Sequence, residues 1–287
     1  MRVWVFLPTY NEESSIPKLF PKLRAIFEEN GLDYRLVVVE DGSTDSTAAL
    51  LDSLKSSYPL DVVRHEINRG LGETERDGFE YVAANASDVD VMVRLDCDDT
   101  HEPSYILDML AKLNEGNDVV NTSRFARGGG QKGLDGYRTI ISLGANLFMK
   151  LFFELPGVRD ASCGFRAYRV RVIKDALRVY GSGFIQLKGL GFTSTLEIIV
   201  KLSLLGCRFA EVPFVLRYDQ KRSQSKMIGS VTTLGYVVMV ILYHWPWGGW
   251  RRFYKRLATC YRDSPEKAVS EYCRHSLKRS SVCQIGG

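Results

Sequence analysis

The sequence predicts an α/β fold: one open, mostly parallel sheet with helices packed on both faces. Three observations carry that reading. Short apolar runs alternate with amphipathic, helix-like segments across residues 1–125. One of the runs, LVVVE at 36–40, is almost continuously apolar, as a strand buried on both faces must be. Most of the runs end in polar, acid-rich loops, and in open α/β sheets ligands bind at the carboxyl ends of the strands.

Taken in order, RVWVFLP at 2–8 is strand-like. Ser14 and Ser15 offer N-caps, and Pro17 suits the first turn of a helix reaching Asn30. After LVVVE, the stretch STDSTAALLDSLKSSY opens with capping residues and continues as a second helix. DVVRHE is a strand, Glu73 to Asn85 a helix, DVMVRLD a strand, the residues after Pro103 a helix and DVVNTSR a strand. This order places PTYNEE, EDGSTDS, DCDDTHEP and SRFARGGG on one rim of the sheet, as neighbours in space.

Composition narrows the class. With 45% hydrophobic and 25% charged residues, the chain of 287 is that of a folded globular protein, not a disordered or fibrous one. The net charge of +4 is uneven. From Arg251 onward there are nine Lys or Arg against three Asp or Glu, so the preceding body is slightly acidic. That balance excludes a general nucleic-acid binder, whereas a basic tail suits an anionic membrane surface. The six cysteines form no CxxC pair, and Met1 leads directly into a strand rather than a leader, so a reducing, cytosolic setting is expected. Cys260, Cys273, His275 and Cys283 match no common zinc spacing.

The glycine-rich stretches are not phosphate loops. GLGETE has Glu75 where a dinucleotide motif needs its third glycine, and GGGQKG is followed by Leu134 rather than by Lys and a hydroxyl. Asp96 and Asp98 offer another way to hold a nucleotide. Two carboxylates one residue apart at a strand end can present oxygens to Mg²⁺ or Mn²⁺, which keeps open positions for phosphate. The alternative is a solvated acidic loop capping the next helix. Asp99 is read as such a cap rather than as a ligand.

Seven segments occur in an order that resembles one family: PTYNEE, VVVEDGSTDST, NRGLGETERDGF, DCD with His101 and Pro103, TSRFARGGG, DASCGFRAY, and FAEVPFVLRYDQKRSQSKM. Over residues 1–227 the chain resembles a family-2 glycosyltransferase of GT-A fold, nearest the dolichyl-phosphate mannosyltransferase and polyprenyl-phosphate glycosyltransferase branch. The resemblance implies a single Rossmann-like domain. It also implies inverting transfer of a hexose from a nucleotide sugar donor, GDP-mannose or a UDP-sugar, to a polyprenyl phosphate.

The same resemblance assigns roles. Pro8, Tyr10, Glu12, Val39 and Asp41 match nucleoside-binding positions; for Asp41 an Asx turn through EDGS is the alternative reading. Asp96 and Asp98 match the metal-binding DxD, and Thr100 a position that completes the metal shell. Cys97, between the carboxylates, falls in the nucleotide-binding stretch, although its own chemistry reads as a small buried filler. Arg124, Arg138 and Ser142, with Arg222 and Lys226, match acceptor-phosphate positions, where Arg supplies a planar fork. Asp160 matches a catalytic or acceptor-orienting carboxylate, so that Asp98, Asp160 and Arg124 form the expected catalytic set. Glu197, in an apolar helix, needs a cation, either in the active site or in Lys201 one turn on.

Four departures stand out. Gln220 replaces an arginine expected on the acceptor phosphate, with Lys221, Arg222 or Lys226 as compensation. Asp99 replaces an apolar residue, Thr74 replaces alanine, and the multi-span membrane region of some relatives is missing. What remains between Lys226 and Arg251 is 24 uncharged residues. Polar positions and Pro246 break them up, so residues 228–250 read as an interfacial helix with Trp245, Trp247 and Trp250 as anchors. Residues 251–287 read as a basic tail with a disordered end. The expected location is the cytosolic membrane face, peripherally bound, with a membrane-anchoring partner subunit as one means of attachment. Two other functions stay open: transfer to a soluble or cell-wall glycan, with Asp160 as base, and a non-catalytic sugar-nucleotide-binding subunit.

Overall fold

The computed structural model describes residues 1–133, 136–221, 229–245 and 248–282; the side chains of 136–141 and 274–282 lie outside that description. The strands are β1 (Val3–Thr9), β2 (Tyr34–Asp41), β3 (Leu60–His65), β4 (Val91–Arg94), β5 (Val119–Ser123), β6 (Gly130–Lys132), β7 (Arg166–Arg169), β8 (Phe209–Pro213) and β9 (Val215–Arg217). The first four helices are α1 (Ile16–Glu29), α2 (Thr47–Leu54), α3 (Leu71–Asn85) and α4 (Tyr105–Asn114). They are followed by α5 (Gly136–Phe152), α6 (Val170–Tyr180), α7 (Thr193–Leu205) and α8 (Gly229–His244). The last three are α9 (Gly249–Phe253), α10 (Leu257–Asp263) and α11 (Pro265–Val282).

The main sheet runs β3-β2-β1-β4-β7-β5-β8, and β6 pairs with β9 beside it. All neighbours in the main sheet are parallel except β7, which is antiparallel to both β4 and β5. The α/β class and the mostly parallel sheet are those the sequence predicts.

Strand periodicity builds the two cores. Along β1, Val3, Val5 and Leu7 face α1, while Trp4 and Phe6 face α3. Helix α1 answers with Ile16, Leu19, Phe20, Leu23 and Phe27, a stripe at helical spacing buried on one side. On the other face Phe6 meets Phe79 edge-on, with centroids 6.2 Å apart. Gly78 makes that approach possible, because a Cβ there would lie 2.3 Å from the Phe6 ring.

Two expectations change, and one left open is decided. Ser15 occupies the N-cap position of α1 without capping it; its hydroxyl donates to Glu12 Oε2 at 2.8 Å, because a buried carboxylate takes the donor first. Glu197 pairs with Lys201 and accepts the backbone N–H groups of Gln186 (3.0 Å) and Leu187 (2.8 Å). It is therefore a packing ion pair rather than an active-site group. The assigned basic tail is also part of the domain: Leu257, Tyr261, Ala268 and Val269 are buried in the same core as α6 and α7. Its basic residues hid an apolar face.

In the apolar segment, α8 ends at His244 and α9 begins at Gly249. Thr232, Gly235, Met239 and Tyr243 face inward, whereas Leu234, Val237 and Ile241 are exposed. Among the described residues no helix is long and apolar enough to cross a membrane.

The docking of α10 has a polar lock, the Tyr261 hydroxyl donating to Asp175 Oδ2 at 2.7 Å out of solvent. Tyr261→Phe should lower unfolding free energy by ~1–3 kcal/mol, measured by urea denaturation. A solvated tail would show no change.

Candidate functional site

The rim forms where β1, β2, β4 and β5 end. Because β7 runs the other way, it is the start of that strand, and the DASCGF loop before it, that joins them. Pro8 lies beside Val39 in the β1–β2 register. The loops beyond are cross-tied: Asn11 N–H donates to Ser43 Oγ (2.9 Å), Thr44 N–H to Asn11 Oδ1 (2.8 Å) and Glu12 N–H to Thr47 Oγ1 (2.8 Å). Asn11 adopts φ 52, a conformation asparagine tolerates better than most residues.

Within the nucleoside set, Pro8 and Tyr10 are partly exposed and Glu12 is buried. Val39 is corrected: its side chain is fully buried with Val37 and Phe79, so it offers no wall to a base. Asp41 makes no Asx turn; Glu40 accepts the Ser43 N–H instead. Asp41 takes the N–H groups of Arg69 and Gly70, each at 2.8 Å, and faces His65 Nδ1 at 2.6 Å. It thus ties the β3–α3 loop to the end of β2. His65 reaches Asp77 with its other nitrogen at 2.9 Å.

The DCDDT loop follows β4. Arg94, the last residue of that strand, is buried, with Nη1 2.6 Å from Asp96 Oδ1 and Nη2 3.3 Å from Glu75 Oε1. Gly164 provides its seat, since a Cβ there would lie 2.0 Å from Nη1. Burial disfavours the charged Asp96, but Arg94, His101 and Lys221 outweigh this and hold its carboxyl at about 2. His101 accepts the Asp96 N–H on Nδ1 at 3.1 Å and stacks on Phe165. Burial pulls the imidazole pKa down, with Asp96 and Asp98 only partly opposing. Asp98 accepts the Thr100 hydroxyl at 2.6 Å on Oδ1 and pairs with the Lys221 ammonium on Oδ2. Burial works against that ammonium, yet Asp98, Asp96 and Glu12 raise its pKa above the ordinary lysine value. Cys97 is buried among apolar side chains, as a filler would be.

Asp99 is corrected from cap to ion pair. It sits at φ 61 and binds Lys22 Nζ at 2.9 Å, while Ser104 takes the N-cap position of α4. Among the described residues no three His, Cys, Asp or Glu side chains form a metal cage. Asp96 and Asp98 nonetheless fit a hard dication of the Mg²⁺ type, which takes one or two carboxylates and fills its shell with water and phosphate.

Arg124 and Asp160 form the second centre. The guanidinium is bidentate, Nε to Oδ2 at 2.7 Å and Nη2 to Oδ1 at 2.8 Å, and the Arg124 N–H adds a third bond at 3.1 Å. Nη1 takes no part in this fork. Burial opposes the Asp160 charge, but Arg124 and Ser162 reverse that and hold the carboxyl below its usual range. Ser162 Oγ links the pair to Asn146 Nδ2 of α5 at 3.0 Å, and Asn146 Oδ1 accepts the Ala161 N–H at 2.8 Å. Ser142 lies one turn before Asn146 on the same helix face and accepts its amide through the carbonyl at 3.0 Å. Arg138 is a turn earlier in α5, with its side chain outside the described residues; Arg222 and Lys226 are also outside them.

Several residues here escape sequence reasoning: Arg94, Asn121, Asn146, Arg166 and Lys22. Arg166, fully buried, donates to Asn121 Oδ1 (2.7 Å), Thr195 O (2.6 Å) and Ala161 O (2.9 Å), fixing the DASCGF loop to β5 and α7. The available signal was a polar residue inside an apolar run, as in VMVR and VVNTS.

The open, mostly parallel sheet with its one reversed strand is of GT-A type. Mycobacterium tuberculosis glucosyl-3-phosphoglycerate synthase, solved with Mn²⁺, UDP and glucosyl-3-phosphoglycerate, has this fold at TM-score 0.56 and 19% identity, over 84% of this chain and 78% of that one. S. aureus TarS 1–349 with UDP-GlcNAc gives 0.55 and 21%, over 84% and 67%. Residues 4–177 match the model for glycosyl transferase family 2, and the chain belongs to that family. It is 32% identical over 232 residues to a Pyrococcus furiosus dolichol-phosphate mannosyltransferase, covering 80% of this chain and 60% of the relative. It is 31% identical over 232 residues to a Micrococcus luteus undecaprenyl-phosphate mannosyltransferase, covering 80% and 89%. The chain thus spans less than two thirds of the Pyrococcus protein.

Removing Asp160 should strand a buried guanidinium. Asp160→Ala is expected to cost ~3–5 kcal/mol in urea denaturation. The pH dependence follows from the depressed pKa. The folded state binds fewer protons than the unfolded one, so the stabilisation is whole above about pH 4 and is lost as pH falls through the folded pKa. Asp160→Asn should remove that share of the acid sensitivity, read from urea midpoints between about pH 7 and pH 3.

Proposed function

We propose that the protein transfers a hexose from a nucleoside diphosphate sugar to a polyprenyl phosphate, with inversion, while bound peripherally to an anionic membrane surface. The observation that carries this reading is the state of Asp160. A glycan hydroxyl must lose its proton as it attacks, and that calls for a carboxylate with a raised pKa. Asp160 is fully buried, forked onto Arg124 and pushed toward the weaker-base side. A phosphate monoester has a second pKa near ~6 and arrives already ionised. It needs neutralisation and placement, which Arg124 Nη1, Ser142 and the basic residues Arg138, Arg222 and Lys226 are placed in sequence to supply.

Roles follow from position. Pro8, Tyr10 and Glu12 line the nucleoside end. Asp96 and Asp98, with Thr100 steadying Asp98, would hold Mg²⁺ or Mn²⁺. When bound, the cation stabilises the charge on the departing nucleoside diphosphate. Asp160 sets the Arg124 plane so that the acceptor phosphate approaches the anomeric carbon from the face opposite the leaving group.

The lipid half of the reading is supported by α5 and α8. Helix α5 presents Asn146 to the Arg124–Asp160 centre and exposes Leu143 (49%), Leu147 (59%) and Leu151 (73%), one turn apart, along its flank. Helix α8 exposes Leu234, Val237 and Ile241, and meets the end of α5 where Phe153 packs edge-on against Tyr243 at 5.1 Å. Exposed Trp245 and basic Arg251 and Arg252 follow. Apolar ridges bordered by arginine suit anionic headgroups. Both curated relatives carry a polyprenyl phosphate in their names.

The deciding assay incubates purified protein with several nucleotide sugars, Mn²⁺ and a short polyprenyl phosphate, and identifies products by mass. A glycosylated lipid phosphate is expected. Product made only from free sugars or glycans would sink the proposal. Asp98→Ala should reduce turnover by ~10²-fold or more, the scale for removing one transition-state charge stabiliser; turnover that survives chelation would remove the cation from the reading. In a sedimentation assay the protein should pellet with anionic vesicles and be released by salt. Leu147→Asp with Ile241→Asp should abolish pelleting while leaving the melting temperature nearly unchanged.

A further inference from the structure

The two carboxylates of the DCD triplet already carry internal cations, and the two cations differ in kind. Arg94 on Asp96 is permanent. Its side chain is only 3% exposed, it is held from behind by Glu75, and it rests where Gly164 has no Cβ. Lys221 on Asp98 is 14% exposed and sits at the end of a compact ammonium stem, with rotatable bonds that allow it to leave.

The chain segment bearing Lys221 is laid directly across the acidic loop. Arg217 N–H donates to Thr100 O at 3.0 Å. The Gln220 amide, oriented to satisfy both its ends, donates to Asp99 O and accepts from Arg217 Nη2, each at 3.1 Å. Gln220 therefore serves here as a neutral tie between the segment and the loop. Placed next to it, Lys221 reaches Asp98 Oδ2, an oxygen that a divalent cation would use.

We propose that Lys221 is the resident counter-ion of the cation site, so that a divalent cation must displace it from Asp98 and binds well only together with a nucleoside diphosphate. This rests on the assignment of Asp96 and Asp98 as cation ligands made above. Arg94 and Lys221 each occupy one carboxylate of the pair, with Glu75 and Glu12 lying further out. A bare dication entering this site must break the Lys221–Asp98 pair and turn the ammonium out beside it, an arrangement of like charges. A diphosphate offsets that repulsion and gives the released ammonium oxygens to bind. Cation and nucleotide are then coupled, each raising the other's affinity by the same factor. Lys221 is a positioning residue in this scheme: it acts on the carboxylate before the donor arrives and on the phosphates afterwards.

The test measures Mn²⁺ affinity directly, by the paramagnetic resonance of free Mn²⁺, with no turnover involved. Wild type, Lys221→Met, Lys221→Arg and Asp98→Asn are titrated alone and with UDP or GDP. Wild type should bind Mn²⁺ weakly alone and far more tightly with the nucleotide it prefers. Lys221→Met should bind Mn²⁺ alone roughly 10-fold more tightly than wild type, the factor for losing one charge-assisted competitor. Its gain from added nucleotide should shrink, and Lys221→Arg, which keeps the positive charge, should bind Mn²⁺ alone no more tightly than wild type. Circular dichroism melting checks that the variants are folded. If Asp98→Asn abolishes Mn²⁺ binding but Lys221→Met binds no more tightly than wild type, the counter-ion proposal is overturned and the cation assignment stands. If Asp98→Asn binds Mn²⁺ unchanged, the cation assignment itself fails and the proposal falls with it.

Discussion

Because β7 runs antiparallel between β4 and β5, its first residues reach the carboxyl rim where a parallel strand would send its last. The DASCGF loop then lies against DCDDT on one side and SRF on the other. The buried Arg166 fixes that loop through three neutral oxygens, on Asn121, Thr195 and Ala161. A guanidinium out of water is tolerable only with its donors satisfied, and these contacts come from three different elements. The reversed strand thus brings Asp160 to Arg124 and Gly164 to Arg94. Both contacts depend on a register that one residue of slippage would destroy.

The rim is consequently a place of paired charges. Asp96 has Arg94, Asp98 has Lys221, Asp99 has Lys22 and Asp160 has Arg124. Isolated carboxylates at this density would repel each other and take up protons. For Asp96 pairing outweighs burial and holds the carboxyl at about 2, and for Asp160 it holds the carboxyl below its usual range. The same pairing sets chemical character. Asp160, bound on both oxygens, is better suited to hold an arginine in plane than to pull a proton from a hydroxyl.

Much of this was legible in the sequence, and the failures have physical causes. The parallel strands announce themselves as apolar runs, because burial on both faces demands it. The rim loops follow from the rule for strand ends. By contrast, β7 is the four residues RAYR, whose direction no pattern encodes, and β6 and β9 have three residues each. The C-terminal helices were misread because their many basic residues masked the spacing of Leu257, Tyr261, Ala268 and Val269. At the site, Asp96, Asp98, Arg124 and Asp160 were visible as motif positions. The cations on Asp96 and Asp98 were not: Arg94 sits in an apolar strand, and Lys221, read in the sequence as an acceptor-side residue, lies over a hundred positions away in the chain. Val39 failed because strand alternation turned it toward α3.

Helix α5 holds Asn146 on the Arg124–Asp160 centre and carries a row of exposed leucines along its flank. On the proposed function this changes the units in which the acceptor is counted. A substrate met at such a helix is not drawn from a volume but from a plane, and its encounter rate follows the number of lipid phosphates per unit area. Diluting the membrane with inert lipid would then slow the reaction as dilution of a solute does elsewhere, while diluting the whole suspension would not. On that function the search would be two-dimensional, and the helix would set its depth.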